Sequence, residues 1–422
     1  MPGRRSPGVE SSEARSGNGR LPLEGVRILD FGWLVAVPLG NRVLADYGAE
    51  VIKVETSLRP EHARQKPLPW PNGPSRDEAA FLNHNHGKLG ITLNVAHPRG
   101  RELALELARL SDVVTNNFSP GVLERYGLGY DDLRQSKPDI IALSAPMAGL
   151  VGPLRDYRAL GLGIQHLAGV GYITGHPHQP PGPIPLSYPD YTCNPFHTAV
   201  AILAALRHRR LTGEGQFVEM SQYESTVNFI GPAVLDFSAN GRVAERTGNA
   251  SPYFAPHGVY RCQGDDRWCA IAVTSEGEWK ALCQAMGRAD LLEDSRFATL
   301  GSRLQHREAL DREVEVWTKE RAAEEVMRLL QSGGVPAGVV QTGEDMVERD
   351  PQYRERGLHQ RLSHPQMGEL LYHTQAARLS GTPGRTRRHA PAQGQDNEHV
   401  YRELLGLSEG ELKHYVEEKI VA

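Results

Sequence analysis

The sequence predicts an α/β fold: a mostly parallel sheet with helices on both faces, and a smaller α+β unit in the middle of the chain. Three observations carry this. From residue 24, short runs of aliphatic residues alternate with amphipathic helical segments. Those strands read as unbroken apolar runs, as strands buried on both faces do. Between about 258 and 331 the pattern changes to a hairpin followed by helices.

Taken in order, Val26 to Leu29 is the first strand, and Pro38 to Tyr47 a helix stopped by Gly48. Val51 to Val54 is the second strand, followed by a Pro-rich loop over 59–76 and a third strand, Ile91 to Leu93. Pro98 opens a helix whose apolar face holds Leu103, Leu107 and Leu110. Asp112 to Val114 and Asp139 to Leu143 continue the alternation. Pro195 starts an Ala-rich helix through Arg209, stopped at Thr212-Gly213. Gln216 to Met220 alternates as a strand, and Ser221 with Glu224 forms a capping box for a further helix. Residues 258–274 form a hairpin about Gly264-Asp265, and helices fill about 275–331; beyond Gly333 the chain has more strand-and-loop character, with a helical tail near 397–406. The implied boundaries are 1–20, 21–225, 226–331 and 332–422.

Composition narrows the function classes. Across 422 residues, 47 Lys plus Arg face 51 Asp plus Glu, a formal charge of −4. No broad basic surface exists for a phosphate backbone, so nucleic-acid binding is disfavoured. No apolar stretch approaches the ~18 residues of a membrane span, and residues 1–20 lack an apolar signal region. That leader, with Arg4, Arg5, Arg15 and Arg20 against Glu10 and Glu13, reads as disordered. A cytoplasmic location is expected, with Cys193, Cys262, Cys269 and Cys283 as reduced thiols. Cys262 and Cys269 are spaced to face each other across the hairpin.

Several motifs fail on inspection. Gly161-Leu-Gly163 lacks the third glycine of a dinucleotide fingerprint, and no phosphate-binding Walker sequence is present. His84-Asn85-His86 and His176-Pro177-His178 have no recognised metal spacing, so no metal is expected. Two clusters remain. Asp190 stands in Tyr188-Pro189-Asp190-Tyr191-Thr192, just ahead of a helix N-terminus. There the helix dipole favours the ionised form that a carboxylate nucleophile needs. Local sequence alone favours a turn-capping aspartate over a nucleophile, and the pattern of the whole chain must decide between them. Asn116 to Gly121 follows a predicted parallel strand, where ligand crevices form, and Arg125 lies one helical turn beyond.

These pieces, in this order, resemble the family III CoA-transferases, the group containing formyl-CoA transferase, carnitine CoA-transferase and α-methylacyl-CoA racemase. The landmarks are Gly25 to Asp30, Leu44 to Glu55, Asn117 to Tyr130, Gly152-Pro153, the Asp190 segment, Leu206 to Gln216 and Gly334 to Gly338. The resemblance implies a Rossmann-like large domain built from both chain ends, a smaller central α+β domain, and two chains interlocked as a homodimer. It implies that Asp190 attacks an acyl-CoA thioester and passes through a mixed anhydride and an aspartyl-CoA thioester. The donor would be an acyl-CoA such as succinyl-CoA, the acceptor a carboxylic acid, and coenzyme A the sole (co)substrate-type cofactor. By position, CoA would lie along Val35, Ala36, Leu93, Asn94, Asn117, Phe118, Ser119, Arg125 and Arg158, with Arg64 and Lys88 toward the phosphates.

The chain also departs from that pattern. Val35 replaces a glutamine of formyl-CoA transferase, and Gly248 to Phe254 replaces its glycine-rich flap. The racemase histidine falls near Leu160, with His166 six residues away, and Lys88 is followed by Leu89 rather than Arg. Two alternatives therefore stand beside intermolecular transfer. One is racemisation or intramolecular CoA migration. The other is a non-catalytic subunit paired with a homologous chain.

Overall fold

A computed structural model describes residues 20–64, 76–182, 184 and 187–422. The expected leader, up to residue 19, and most of the Pro-rich loop lie outside the described residues. The chain contacts separate into two compact units. The first comprises the described parts of Met1–Ala168, Pro185–Gly231 and Arg356–Ala422; the second comprises those of Gly169–Ile184 and Pro232–Glu355.

The first unit is built on six parallel strands: β1 (Arg27–Asp30), β2 (Glu50–Glu55), β3 (Leu89–Thr92), β4 (Val113–Asn116), β5 (Ile141–Ser144) and β6 (Phe217–Glu219). Their spatial order is β3-β2-β1-β4-β5-β6. Alternate side chains along each strand enter two different cores, because successive strand residues point to opposite faces. Leu29, Ile52 and Val114 pack on one face with Leu103 and Leu107 of the helix Pro98–Arg109. Ile28, Val51 and Val113 pack on the other with Val37 and Leu44 of the helix Ala36–Asp46 and Ile202 of the helix Asn194–Thr212. Both faces are therefore apolar, which is why the strands read as continuous runs. Leu110, expected on that apolar face, is 41% exposed because the Pro98–Arg109 helix ends one residue earlier.

The chain's last segment returns to this unit. Val400, Tyr401, Leu412, Ile420 and Val421 join the Leu29 core. The Tyr401 hydroxyl donates to the Thr92 carbonyl at 2.8 Å, and Asn397 Oδ1 accepts from the Thr92 N–H at 2.9 Å. The strand character expected beyond Gly333 takes the form of a hairpin of His359–His364 and Gly368–His373 on this returning segment.

The second unit holds an antiparallel sheet of β7 (His257–Arg261), β8 (Trp268–Ala272) and β9 (Ala337–Val339). The helices Glu276–Met286, Arg307–Thr318 and Ala323–Ser332 supply Trp279, Leu282, Val314, Trp317, Val326 and Leu330 to its core. Cys262, Cys269 and Cys283 are buried in that core, and all four cysteines are free thiols. No helix among the described residues is long and apolar enough to cross a membrane.

Candidate active site

The strand order reverses direction between β1 and β4. The crevice beyond the carboxyl ends of such neighbouring strands is the favoured ligand position in a doubly wound sheet. The two loops that leave these strands are locked together there. Asn117 Oδ1 accepts from the Trp33 N–H and Asn117 Nδ2 donates to the Trp33 carbonyl, each at 2.8 Å. Phe118 meets the Trp33 ring edge-on at 5.8 Å. This clamp brings Val35 and Ala36, at the start of one helix, close in topology to Asn117, Phe118 and Ser119. It also commits both ends of the Asn117 amide to protein backbone. Leu93 and Asn94 follow the edge strand β3, where Asn94 Nδ2 donates to the Lys419 carbonyl at 3.2 Å. Arg125 and Arg158 are exposed.

Lys88 and Arg64, expected at phosphates, are engaged elsewhere. Lys88 is fully buried, with its ammonium 2.8 Å from Asp30 Oδ2 and 2.9 Å from Asn85 Oδ1. Burial pulls its pKa down to about 8 against the opposing pull of Asp30. Burial alone would raise the Asp30 carboxyl, but the ammonium groups of Lys88 and Lys53 outweigh that and hold it below the usual range. Arg64 forms a two-pronged pair with Glu55, both contacts at 2.7 Å, donates to the Pro391 carbonyl at 2.8 Å and lies over the Phe81 ring. These are interior struts between β1, β2 and neighbouring segments. Lys88→Ala should therefore cost about 3–5 kcal/mol by stranding Asp30. Thermal melting checks this: a marked drop in melting temperature is expected, whereas loss of a mere surface phosphate contact would raise the KM for acyl-CoA and leave melting unchanged.

Asp190 occupies a short helical turn of its own, Tyr188–Thr192, rather than the approach to the next helix. Pro189 favours the turn with its fixed φ, and Pro195 starts the following helix in the same way. Asp190 as a residue is 8% exposed. Asn194 Nδ2 donates to its Oδ1 at 2.9 Å, and the Gly161 N–H also favours its ionised form. Burial is nevertheless the largest influence and pushes the pKa up to about 6. The expected helix-dipole stabilisation is thus outweighed by desolvation, because the site is nearly closed to water. The side chain does not cap its turn.

Gly161 opens the helix Gly161–Leu167 directly against this carboxylate. A Cβ there would lie 2.2 Å from Asp190 Oδ2 and 2.6 Å from Ser187 Cβ, so no larger residue fits without displacement. On the far side, Asn194 Nδ2 is 3.5 Å from Gln222 Oε1, and Gln222 Nε2 donates to the Ala145 carbonyl at 2.6 Å. The Ser225 hydroxyl donates to Asn194 Oδ1. Tyr191 packs edge-on against the buried His84 ring at 5.2 Å. His84 is held neutral, its pKa pulled down to about 3 chiefly by burial.

Gly161, Asn194, Gln222 and Ser225 were not anticipated. Their signal is weak in one dimension: Gln222 and Ser225 share a helix face three residues apart, but 28 or more residues separate them from Asn194. Leu160, at the position of the racemase histidine, is 64% exposed, and His166 is also exposed. Among the described residues, no cluster of three or more His, Cys, Asp or Glu is arranged to hold a metal ion.

Comparison with known proteins identifies the family. The family described as CoA-transferase family III matches residues 23–397. A succinyl-CoA–D-citramalate CoA-transferase of Chloroflexus aurantiacus is 34% identical over 399 residues, covering 93% of this chain and 96% of that one. The alpha subunit of a succinyl-CoA–L-malate CoA-transferase from Chloroflexus aurantiacus is 31% identical over 411 residues, covering 96% and 94%. A CAIB/BAIF family protein from Brucella suis superposes with a TM-score of 0.84 at 29% identity, covering 91% of this chain and all of that one. The chain belongs to CoA-transferase family III and is a transferase that exchanges CoA between an acyl-CoA and an acid.

Proposed function

We propose that the protein transfers CoA from succinyl-CoA to a second carboxylic acid, with Asp190 as the nucleophile. The observation that carries the assignment is a nearly buried carboxylate whose two sides are held by Asn194 and Gly161, largely ionised at neutral pH despite its burial. Relatives named for citramalate and malate make four- and five-carbon dicarboxylic acids the first acceptors to test.

The chemistry follows from the carboxylate alone. An Asp190 oxygen attacks the thioester carbonyl and the C–S bond breaks, giving a mixed anhydride and CoA thiolate. The thiolate attacks the Asp190 carbonyl carbon, which yields the aspartyl-CoA thioester and frees the donor acid as its carboxylate. The acceptor carboxylate then attacks that thioester and expels the thiolate again. The thiolate finally attacks the acceptor's acyl carbon, leaving acceptor-CoA and ionised Asp190. Charge and protons balance at every step, so no general acid is required. Burial suits this sequence, since water would hydrolyse both anhydrides. In this reading Val35, Ala36, Phe118, Ser119 and Arg125 line the CoA path from the β1–β4 crevice, and Arg158 is a cation for its phosphates.

Only ionised Asp190 attacks. With its pKa at about 6, activity should be near its plateau at pH 7 and fall about tenfold per pH unit on the acid side. The assay is incorporation of labelled succinate into succinyl-CoA, which needs no knowledge of the natural acceptor. A rate that stays flat down to about pH 4.5, where an ordinary carboxyl would still be ionised, contradicts the assignment.

A further inference from the structure

Asn194 is bonded on every side in a way that leaves one orientation for its amide. Gln222 Nε2 must be the end that faces the Ala145 carbonyl, since two acceptors cannot pair. Gln222 Oε1 therefore faces Asn194 and calls for a donor there. The Ser225 hydroxyl donates to the other end of the Asn194 amide and also reaches the Gln222 carbonyl at 3.0 Å. The NH2 group of Asn194 is thus directed at Asp190 Oδ1 from a pre-set position. Asn194, Gln222 and Ser225 are all buried, at 0%, 7% and 4% exposure, so water does not compete for these bonds. On the opposite side, Gly161 lies against Oδ2.

We propose that Asn194, aligned by Ser225 and Gln222, is the positioning residue for Asp190: it fixes the plane of the carboxylate and donates to its charged form. The proposal rests on Asp190 being the nucleophile. A hydrogen bond to a charged group is stronger than one between neutral partners, so the donor favours the attacking form over the protonated one. The relay is a positioning device because none of its three members needs to touch substrate. It also returns the same orientation each time Asp190 is regenerated, after two anhydrides and one thioester have formed on it.

Other titratable groups near Asp190 do not supply this effect. The Cys193 thiol is adjacent, and burial together with the Asp190 charge keeps it protonated. Tyr188 and Tyr191 lie on the same turn, while His166 and His197 on the flanking helices are exposed. His84 is neutral against Tyr191. Tyr223 and Glu224, on the helix that carries Gln222, are the remaining ionisable groups of that element nearest the relay.

The test is the pH profile of labelled-succinate exchange into succinyl-CoA for Asn194→Ala, Ser225→Ala and Ser225→Thr. Asn194→Ala should lower exchange at pH 7 by about 10- to 100-fold and move the acid limb upward by about one pH unit or more. Ser225→Ala should move it in the same direction by less, and Ser225→Thr, which keeps the hydroxyl, should restore the parent limb. Should Asn194→Ala fail to fold, Ser225→Ala and its rescue by Ser225→Thr carry the test. An acid limb unmoved in Asn194→Ala and Ser225→Ala, with Asp190→Ala inactive, overturns the relay and leaves the nucleophile standing. Normal exchange by Asp190→Ala overturns the nucleophile itself.

Discussion

Asp190→Ala is expected to lower CoA exchange by about four orders of magnitude or more, because the reaction then has no covalent route. Asp190→Asn should be nearly as damaging, since an amide oxygen is a poor nucleophile and cannot be regenerated as a leaving carboxylate. The loss should fall on kcat. The crevice between the β1 and β4 loops is clamped by Asn117 and Trp33, independently of the Asp190 turn, so CoA binding should survive both substitutions. Exchange of labelled succinate and calorimetric titration with CoA separate the two quantities. A variant that binds CoA normally but does not exchange is the expected outcome; exchange within tenfold of the parent would remove Asp190 from the mechanism.

Gly161→Ala should be the second most damaging single change, although it removes no functional group. Its methyl would sit 2.2 Å from Asp190 Oδ2 and 2.7 Å from Cγ, far inside normal contact distance. Either the carboxylate or the start of the Gly161–Leu167 helix must move by roughly an ångström, and misplacement on that scale costs about 100-fold in rate. Alanine is otherwise the better helix residue by about 1 kcal/mol, so the helix itself is not weakened. Gly163→Ala, two residues along the same helix, supplies the control: its Cβ would meet only Ala159 Cβ, at 3.1 Å. Rates for both variants alongside circular dichroism decide the matter. A large loss in Gly161→Ala with near-parent activity in Gly163→Ala is expected, and equal losses would point to the helix rather than to the carboxylate.

The sheet was legible because its strands are buried on both faces. Ile28-Leu29, Val51-Ile52 and Val113-Val114 feed two cores from adjacent positions, so the apolar runs stand out against polar turns. Helix ends were legible where a residue has a local reason to be there: Pro98 at a helix start, Gly48 after a helix end, and Ser221 accepting from the Glu224 N–H at 3.2 Å. Beyond Gly333 only a general strand-and-loop character was legible, and the bounds of β9 and of the hairpin after residue 358 were not, since neither has strong period-two alternation.

The site was legible only in part, for a physical reason. Asp190 stands out by its turn and by family resemblance, but what surrounds it comes from four separate segments around 145, 161, 194 and 222–225. No local pattern joins them. Lys88 shows the opposite error: a basic residue next to a predicted strand looks available, and only the fold shows its ammonium buried against Asp30. Charge stabilisation was likewise misjudged from sequence, because a helix terminus is visible in the chain whereas depth of burial is not. That difference moves the Asp190 pKa up to about 6 rather than down.

The central claim is that Asp190 becomes covalently activated. The most direct measurement is incubation of the enzyme with succinyl-CoA and hydroxylamine, followed by peptide mass spectrometry. Hydroxylamine attacks the aspartyl thioester, expels CoA and leaves a stable hydroxamate on the residue that carried it. The account predicts that hydroxamate on Asp190, dependent on succinyl-CoA and absent when CoA alone is supplied. A hydroxamate on a different residue, or steady exchange with Asp190 left unmodified, would contradict it.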